Sequence, residues 1–255
     1  MAMSKIIVNA DDFGWDENRT HAILQAYKLG LIHTTTAMVN MPWFFRAIEM
    51  AKGTGLIEHV GLHLCLTEGY PLTDRIRNCP RFCDEKGEFN KVFHRSLCTR
   101  LKISTEESRA VAEEATAQME KYCAAGLPWM HLDSHHHSHT DWSIARVVMP
   151  IARKMGFKSV RRARDLGVGM GLFNRVYKTF INRYLGRTIG FEAQRFGSYR
   201  DVAGSVAPLP KEVTVEMMVH PMYKVAGQLD MAGDLLDTDH PMEDVIRLQT
   251  DLQSI

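Results

Sequence analysis

The sequence is poor in cysteine, in surplus charge and in long apolar runs, and each shortage excludes a class of protein. Five Cys among 255 residues is a sparse, odd set. It excludes a disulfide-built scaffold and suggests reduced thiols in a cytoplasmic protein. Lys and Arg number 31 against 30 Asp and Glu, a formal net charge of +1. That balance argues against a broad grip on nucleic acid or an anionic membrane, both of which need clustered cations. No stretch reaches the roughly 18 uninterrupted apolar residues of a membrane helix. The opening residues meet Asp11 and Asp12 after one short apolar run, so they do not read as a secretory signal. Internal repeats, low-complexity tracts and Gly/Ser linkers are also lacking, which leaves one domain over residues 1–255. With 45% hydrophobic and 24% charged residues, the chain has the composition of an ordinary globular protein with one large core.

Histidine is what the chain has in quantity. There are 12, and His131, His135, His136, His137 and His139 fall within nine residues.

Short β-type runs alternate with longer helical ones. Lys5–Asn9, Thr34–Asn40, His59–Leu66, Trp129–Asp133 and Phe157–Arg161 read as strands, with Thr188–Ala193 and Glu212–Val219 as the sixth and seventh. Helices are expected over Asp16–Leu29, after Pro42, from Thr105 to Gly126, over Trp142–Met155 and Phe173–Leu185, and from Met242 onward. Ser104 and Glu107 have the S-x-x-E spacing of a capping box. Residues 67–102, with Pro71, Pro80 and Gly87, break the rhythm as an irregular insertion of the kind that covers a site. Alternating β and α units predict an α/β fold on about seven parallel strands, either closed as a barrel or doubly wound.

The unusual polar residues fall where strands finish. Asp11 and Asp12 end the first strand, and His63 lies within the third. His131 to His139 follow the fourth, Arg161 to Asp165 end the fifth, and His220 ends the seventh. In parallel α/β folds these ends build the functional face. Adjacent carboxylates repel, so Asp11-Asp12 calls for a cation or a shared proton, although one Asp alone would serve as a helix N-cap. His63 taken alone is a core histidine, but beside the other clusters it becomes a metal ligand. In His131-x-Asp133-x-His135, one imidazole can bind metal while Asp133 orients a neighbour. A mixed Asp/His set suits one divalent ion, Mg²⁺, Zn²⁺ or another transition metal, and three protein ligands leave open positions for catalysis. Cys79, Cys83 and Cys98 lack a clear fourth ligand, and Gly167-x-Gly-x-Gly171 lacks the Lys-Ser/Thr of a phosphate loop.

The segments Ile7–Gly14, Thr34–Asn40, Gly61–Thr67 and His131–His139 resemble, in order and spacing, the YdjC-like carbohydrate deacetylases, including those of the ChbG type. Met222 follows His220-Pro221 where that family has Gly, and Asp165 stands where it has Glu. The resemblance implies a distorted TIM-like (β/α) barrel with Asp12, His63 and His135 on the metal, Asp11 as base and His220 as acid. It further implies a small acetylated sugar as substrate and suggests a homodimer. Asp133, His131, His137 and Arg164 are expected to support the ligands or touch substrate, and Trp43 or Trp142 to stack on a sugar ring. The alternatives are a phosphoesterase or amidohydrolase-type enzyme and a non-catalytic metal- or sugar-binding regulator. A phosphoesterase should carry more convergent cations and often a second metal, and Arg161, Arg162 and Arg164 keep that option open.

Overall fold

The computed structural model describes residues 5–166, 171–205, 213–224 and 227–231. Strand β1 (Lys5–Phe13) leads into α1 (Glu17–Lys28), whose N-terminus is capped by Asp16 accepting from the Arg19 N–H at 2.8 Å. Then come β2 (Thr34–Ala37), α2 (Phe44–Ala51) and β3 (Val60–Leu64). Three short helices, α3 (Asp74–Arg77), α4 (Val92–Arg95) and α5 (Leu97–Leu101), occupy the irregular insertion. The capping box forms as the sequence predicts, with Ser104 and Glu107 bonded reciprocally at the start of α6 (Thr105–Ala124). Next are β4 (His131–Ser134), α7 (Trp142–Lys154, running through Pro150), β5 (Ser159–Val160) and α8 (Leu172–Thr188). The chain continues through β6 (Arg195–Ser198), α9 (Tyr199–Ser205) and β7 (Thr214–Val219) to a hairpin of β8 (Met222–Tyr223) and β9 (Leu229–Asp230).

Seven strands form one sheet in the order β5-β4-β3-β2-β1-β7-β6, every neighbouring pair parallel. The sheet curls into a distorted, partly open (β/α) barrel. Its edge strands β5 and β6 do not pair. Instead the N–H groups of Asp165 and Leu166, just after β5, both donate to the Phe196 carbonyl of β6 at 3.1 Å. Helices pack apolar stripes on the outside, such as Ala47, Ile48 and Ala51 of α2 and Val111, Ala115 and Met119 of α6. Among these, Ile48, Val111 and Met119 each stabilise the fold by about 1.5–3 kcal/mol when fully buried.

Strand β1 carries an irregularity that the site depends on. Ala10 pairs with Thr35 and Phe13 with Ala37, so three steps on β1 oppose two on β2. The extra residue sits at Asp12, whose φ is 72°. A side chain in this left-handed region is uncommon, and Asp is among the residues that tolerate it. The bulge cancels the strand's alternation, so Asp11 and Asp12 reach the same space. Gly14 (φ 81°) completes the turn, and a Cβ there would lie 2.9 Å from the Phe44 Cα.

Two expectations change. The sixth strand is not Thr188–Ala193, because α8 runs to Thr188 and Gly190 (φ 124°) turns the chain before β6 begins at Arg195. The first strand runs on to Phe13, which brings both carboxylates into the sheet. The helix expected from Met242 lies outside the described residues.

Candidate active site

The C-terminal strand ends surround a cleft of about 470 Å³ lined by Asp11, Asp12, His63, His135, His137 and His220 among others. Asp12 from the β1 bulge, His63 from β3 and His135 just after β4 converge, their ligand atoms all within 4.8 Å of one another. Asp12 Oδ1 lies 3.3 Å from His63 Nε2 and 3.0 Å from His135 Nδ1. Burial alone would raise Asp12, yet the His135 and His63 imidazoles hold its carboxyl well below the usual carboxylate range. Burial likewise pulls His63 down, but the Asp133 carboxylate and the hydrogen bonds to both Asp residues outweigh it and push His63 up to about 10.

Behind these residues lies a second ring of buried polar groups inside the barrel. Asp133 on β4 joins His63 Nδ1 at 2.7 Å and accepts from Thr36 Oγ1 at 3.0 Å. Arg161, fully buried after β5, donates to both oxygens of Asp11 at 2.6 and 2.7 Å, to Asp133 at 2.7 Å and to Glu216 at 2.6 Å. Asn9 donates to Asp11 Oδ1 at 2.9 Å. Asp11 is thereby fixed beside the Asp/His/His set, and with His63 and Asp133 it forms a second group whose ligand atoms lie within 4.8 Å of one another. His220 Nε2 lies 4.0 Å from Asp11 Oδ2, and its Nδ1 is buried without a partner among the described residues. Burial pulls His220 below its ordinary value, although Asp12 and Asp11 act the other way.

Asp12, His63 and His135 fit a divalent ion. Three buried carboxylates, from Asp11, Asp133 and Glu216, surround the one buried guanidinium, and Asp12 adds a fourth buried carboxylate beside His63 and His135, which leaves a surplus of carboxylates over guanidiniums. The His135 Nε2 is buried and without a hydrogen-bond partner among the described residues. A carboxylate with two imidazoles is a donor set for Zn²⁺ or its neighbours, and for Mg²⁺ where water completes the shell.

The histidine run divides by function of place. His136 and His137 both have positive φ (52° and 55°), which turns the chain sharply after His135. His136 bonds Thr67 Oγ1 at 3.1 Å, and burial with His135 nearby pushes it down to about 3. His137 lines the cleft and meets the Phe196 ring edge-on at 5.5 Å. His139 is structural: Ser134 Oγ lies 2.6 Å from Nδ1, and Nε2 lies 3.0 Å from the Arg161 carbonyl.

Several expected contacts move. His131 stacks on Trp129, bonds Ser159 Oγ at 2.8 Å and is not among the residues lining the cleft, because it sits at the beginning of β4 rather than its end. Arg164 turns outward to Asp201 at 2.5 Å, while Arg161 turns in. Trp142 packs on Phe180 and Tyr184, and Trp43 lies near His21. The aromatic wall of the cleft is Trp15, whose ring meets His135 edge-on at 5.0 Å and carries the Arg19 guanidinium at 4.5 Å. Sequence reasoning passed over Trp15, Glu216, Thr36 and Asn9. Glu216 had a legible signal, since a carboxylate inside the apolar run Val215–Val219 is as anomalous as His63 in its own strand. The insertion does form a wall, contributing Glu68, Lys91 and His94.

The fold and this cluster define a (β/α)-barrel protein in which Asp12, His63 and His135 form a group that could hold a cation, beside a further buried carboxylate, Asp11. A family model described as YdjC-like protein matches residues 5–250, and the chain belongs to that family. Carbohydrate deacetylase 1 of Listeria innocua is 30% identical over 83% of this chain and 90% of its own. The carbohydrate deacetylase of Halalkalibacterium halodurans is 30% identical over 86% and 85%. That of Vibrio cholerae reaches 39% over 59% of this chain and 56% of its own. A solved structure from Enterococcus faecalis V583, whose name refers to cellobiose-phosphate cleavage, superposes with a TM-score of 0.65 at 22% identity, over 98% of this chain and 91% of that one. That likeness supports the fold. No helix among the described residues is long and apolar enough to cross a membrane.

Proposed function

We propose that this protein hydrolyses the N-acetyl group of an acetylated amino sugar or short oligosaccharide, using one divalent ion held by Asp12, His63 and His135. The observation that carries the reading is a buried carboxylate, Asp11, anchored beside that donor set by Arg161, in a chain whose relatives are named carbohydrate deacetylases. The bound ion would polarise the acetamide carbonyl and acidify a water molecule.

The side chains supply the rest. Asp133 holds His63 by Nδ1 and so leaves Nε2 facing Asp12. Arg161 and Asn9 orient the Asp11 carboxylate, which accepts the proton of the attacking water. The water oxygen bonds to the acetyl carbon, the C–N bond breaks, and His220 delivers a proton to the departing nitrogen. Acetate and a free amine result. Trp15 offers an apolar face for a pyranose ring.

Arg161, Arg162 and Arg164 do not support the phosphoesterase reading, since Arg161 is committed to three carboxylates and neither Arg162 nor Arg164 lines the cleft. The test is acetate release from N-acetylglucosamine oligomers by metal-stripped and metal-restored protein. Restored wild type should release acetate, and Asp11→Asn should lose about 10²–10⁴-fold in kcat while binding metal normally. Loss of metal with Asp11→Asn would refute the separation of base from ligands. No release by wild type from any acetylated sugar would favour the regulator.

A further inference from the structure

A second cleft, of about 780 Å³, shares no lining residue with the first. It lies between α8, the segment after β5 and the start of β6. Six cations line it, Arg162, Arg175, Lys178, Arg183, Arg187 and Arg195, against one carboxylate, Asp165. For a chain of net charge +1 this is a steep local imbalance.

The cleft is organised rather than a chance gathering of surface arginines. Asp165 positions two guanidiniums, Arg162 at 3.3 Å and Arg195 at 3.8 Å, and its other oxygen accepts from the Phe196 N–H at 2.8 Å. Arg162 also stacks on the Phe191 ring at 4.5 Å. Phe191 can approach α8 because residue 186 is glycine, where a Cβ would lie 2.7 Å from the ring. Asn182, buried at the floor, is bound to the Ala163 backbone by both ends of its amide. The Arg195 Nε is buried with no hydrogen-bond partner among the described residues. Arg175, Arg183 and Arg187 have no ion pair among the described residues and stand on one face of α8 at multiples of four. Burial and the nearby Arg164 guanidinium draw Lys178 below its ordinary value, as expected in a crowded cationic site.

We propose that this cleft binds a small phosphate-bearing anion with a chain of linked phosphates, gripped by Arg162 and Arg195 at one end and by the α8 arginines along its length. Guanidiniums match phosphate oxygens in pairs. A helix rises 1.5 Å per residue, so Arg183 and Arg187 stand about 6 Å apart along the axis, and Arg175 and Arg187 about 18 Å. A single phosphate is too short to match even the Arg183–Arg187 step, whereas two or three linked phosphates match it and a longer chain would be needed to reach Arg175. This site is independent of the deacetylase reading.

The experiment is calorimetric titration of metal-free full-length protein with inorganic phosphate, pyrophosphate and tripolyphosphate in 0.15 M NaCl. Metal-free protein keeps phosphate from reporting on the first cleft. The expected result is one saturable site whose Kd tightens at least tenfold from phosphate to tripolyphosphate. Arg183→Gln with Arg195→Gln should weaken tripolyphosphate binding at least tenfold with an unchanged melting temperature, whereas Arg46→Gln, outside the cleft, should not. Equal affinity for phosphate and tripolyphosphate would overturn the linked chain. Absence of saturable binding below 1 mM, or tripolyphosphate binding that survives the double substitution, would overturn the site. If the double variant unfolds, Arg195→Lys and Arg183→Lys, which keep charge and lose the fork, must still weaken binding.

Discussion

Asp133 Oδ1 lies 2.7 Å from His63 Nδ1, with both side chains buried, and this contact decides which nitrogen of His63 faces the cleft. Arg161 and Thr36 occupy the other oxygen of the same carboxylate. The pair links the barrel interior to the donor set.

Asp133→Asn keeps the shape but removes the charge that favours a basic His63 Nε2. Partners of this type are worth about 10–100-fold in metal affinity. Titration of the variant with Zn²⁺ should show a Kd weaker by that factor and an unchanged stoichiometry. An unaltered Kd would remove Asp133 from the account.

Arg161→Met leaves Asp11, Asp133 and Glu216 buried without their common cation. Losing one partner of a buried ion pair costs about 3–5 kcal/mol. Urea unfolding should show a loss of that order. A loss below about 1 kcal/mol would mean the network contributes little to stability.

His139 gives a pH dependence with a definite sign. Burial pushes its imidazole down to about 4, and its neutral form satisfies both ring nitrogens. Its folded value lies below the unfolded value of about 6.5, so its contribution is complete above pH 6.5 and is lost as pH falls toward 4. His139→Leu should be less stable than wild type at pH 7. Its stability should also fall less steeply between pH 7 and 5, by up to about 1.4 kcal/mol per pH unit. Parallel profiles would show that His139 is not the titrating group.

Glu114 on α6 is fully buried and ties down the insertion, accepting from the Leu72 N–H at 3.0 Å, the Thr73 N–H at 2.9 Å and the Thr73 hydroxyl at 2.8 Å. Glu114→Ala leaves those donors unsatisfied at about 1–3 kcal/mol each. Hydrogen exchange should quicken at Leu72 and Thr73 while the β1 amides stay protected. Unchanged exchange there would place the anchor elsewhere.

The barrel was legible wherever local pattern and tertiary role agreed. Ile6 and Val8 mark β1, and Ser104 with Glu107 marks the start of α6, because each is favoured by its own segment. Strand β6, Arg195-Phe-Gly-Ser198, was missed because an edge strand without β-branched residues carries no such signal. Asp11, Asp12, His63 and His135 announce themselves as polar residues at strand ends. Which of Arg161, Arg162 and Arg164 turns inward is settled by the seam between β5 and β6, a contact between distant parts of the chain. The even net charge concealed the cationic cleft, since a sum over the whole chain contains no positions.

The bulge at Asp12 makes the centre sensitive to residue count as much as to residue type. Deleting one residue between Ala10 and Phe13 would leave one carboxylate of the pair and return β1 to regular alternation. Substitution in this stretch removes a chemical group, whereas a change of length re-aims the groups that remain. Among descendants of this chain, point changes between residues 10 and 13 therefore have a graded route, and insertions or deletions do not.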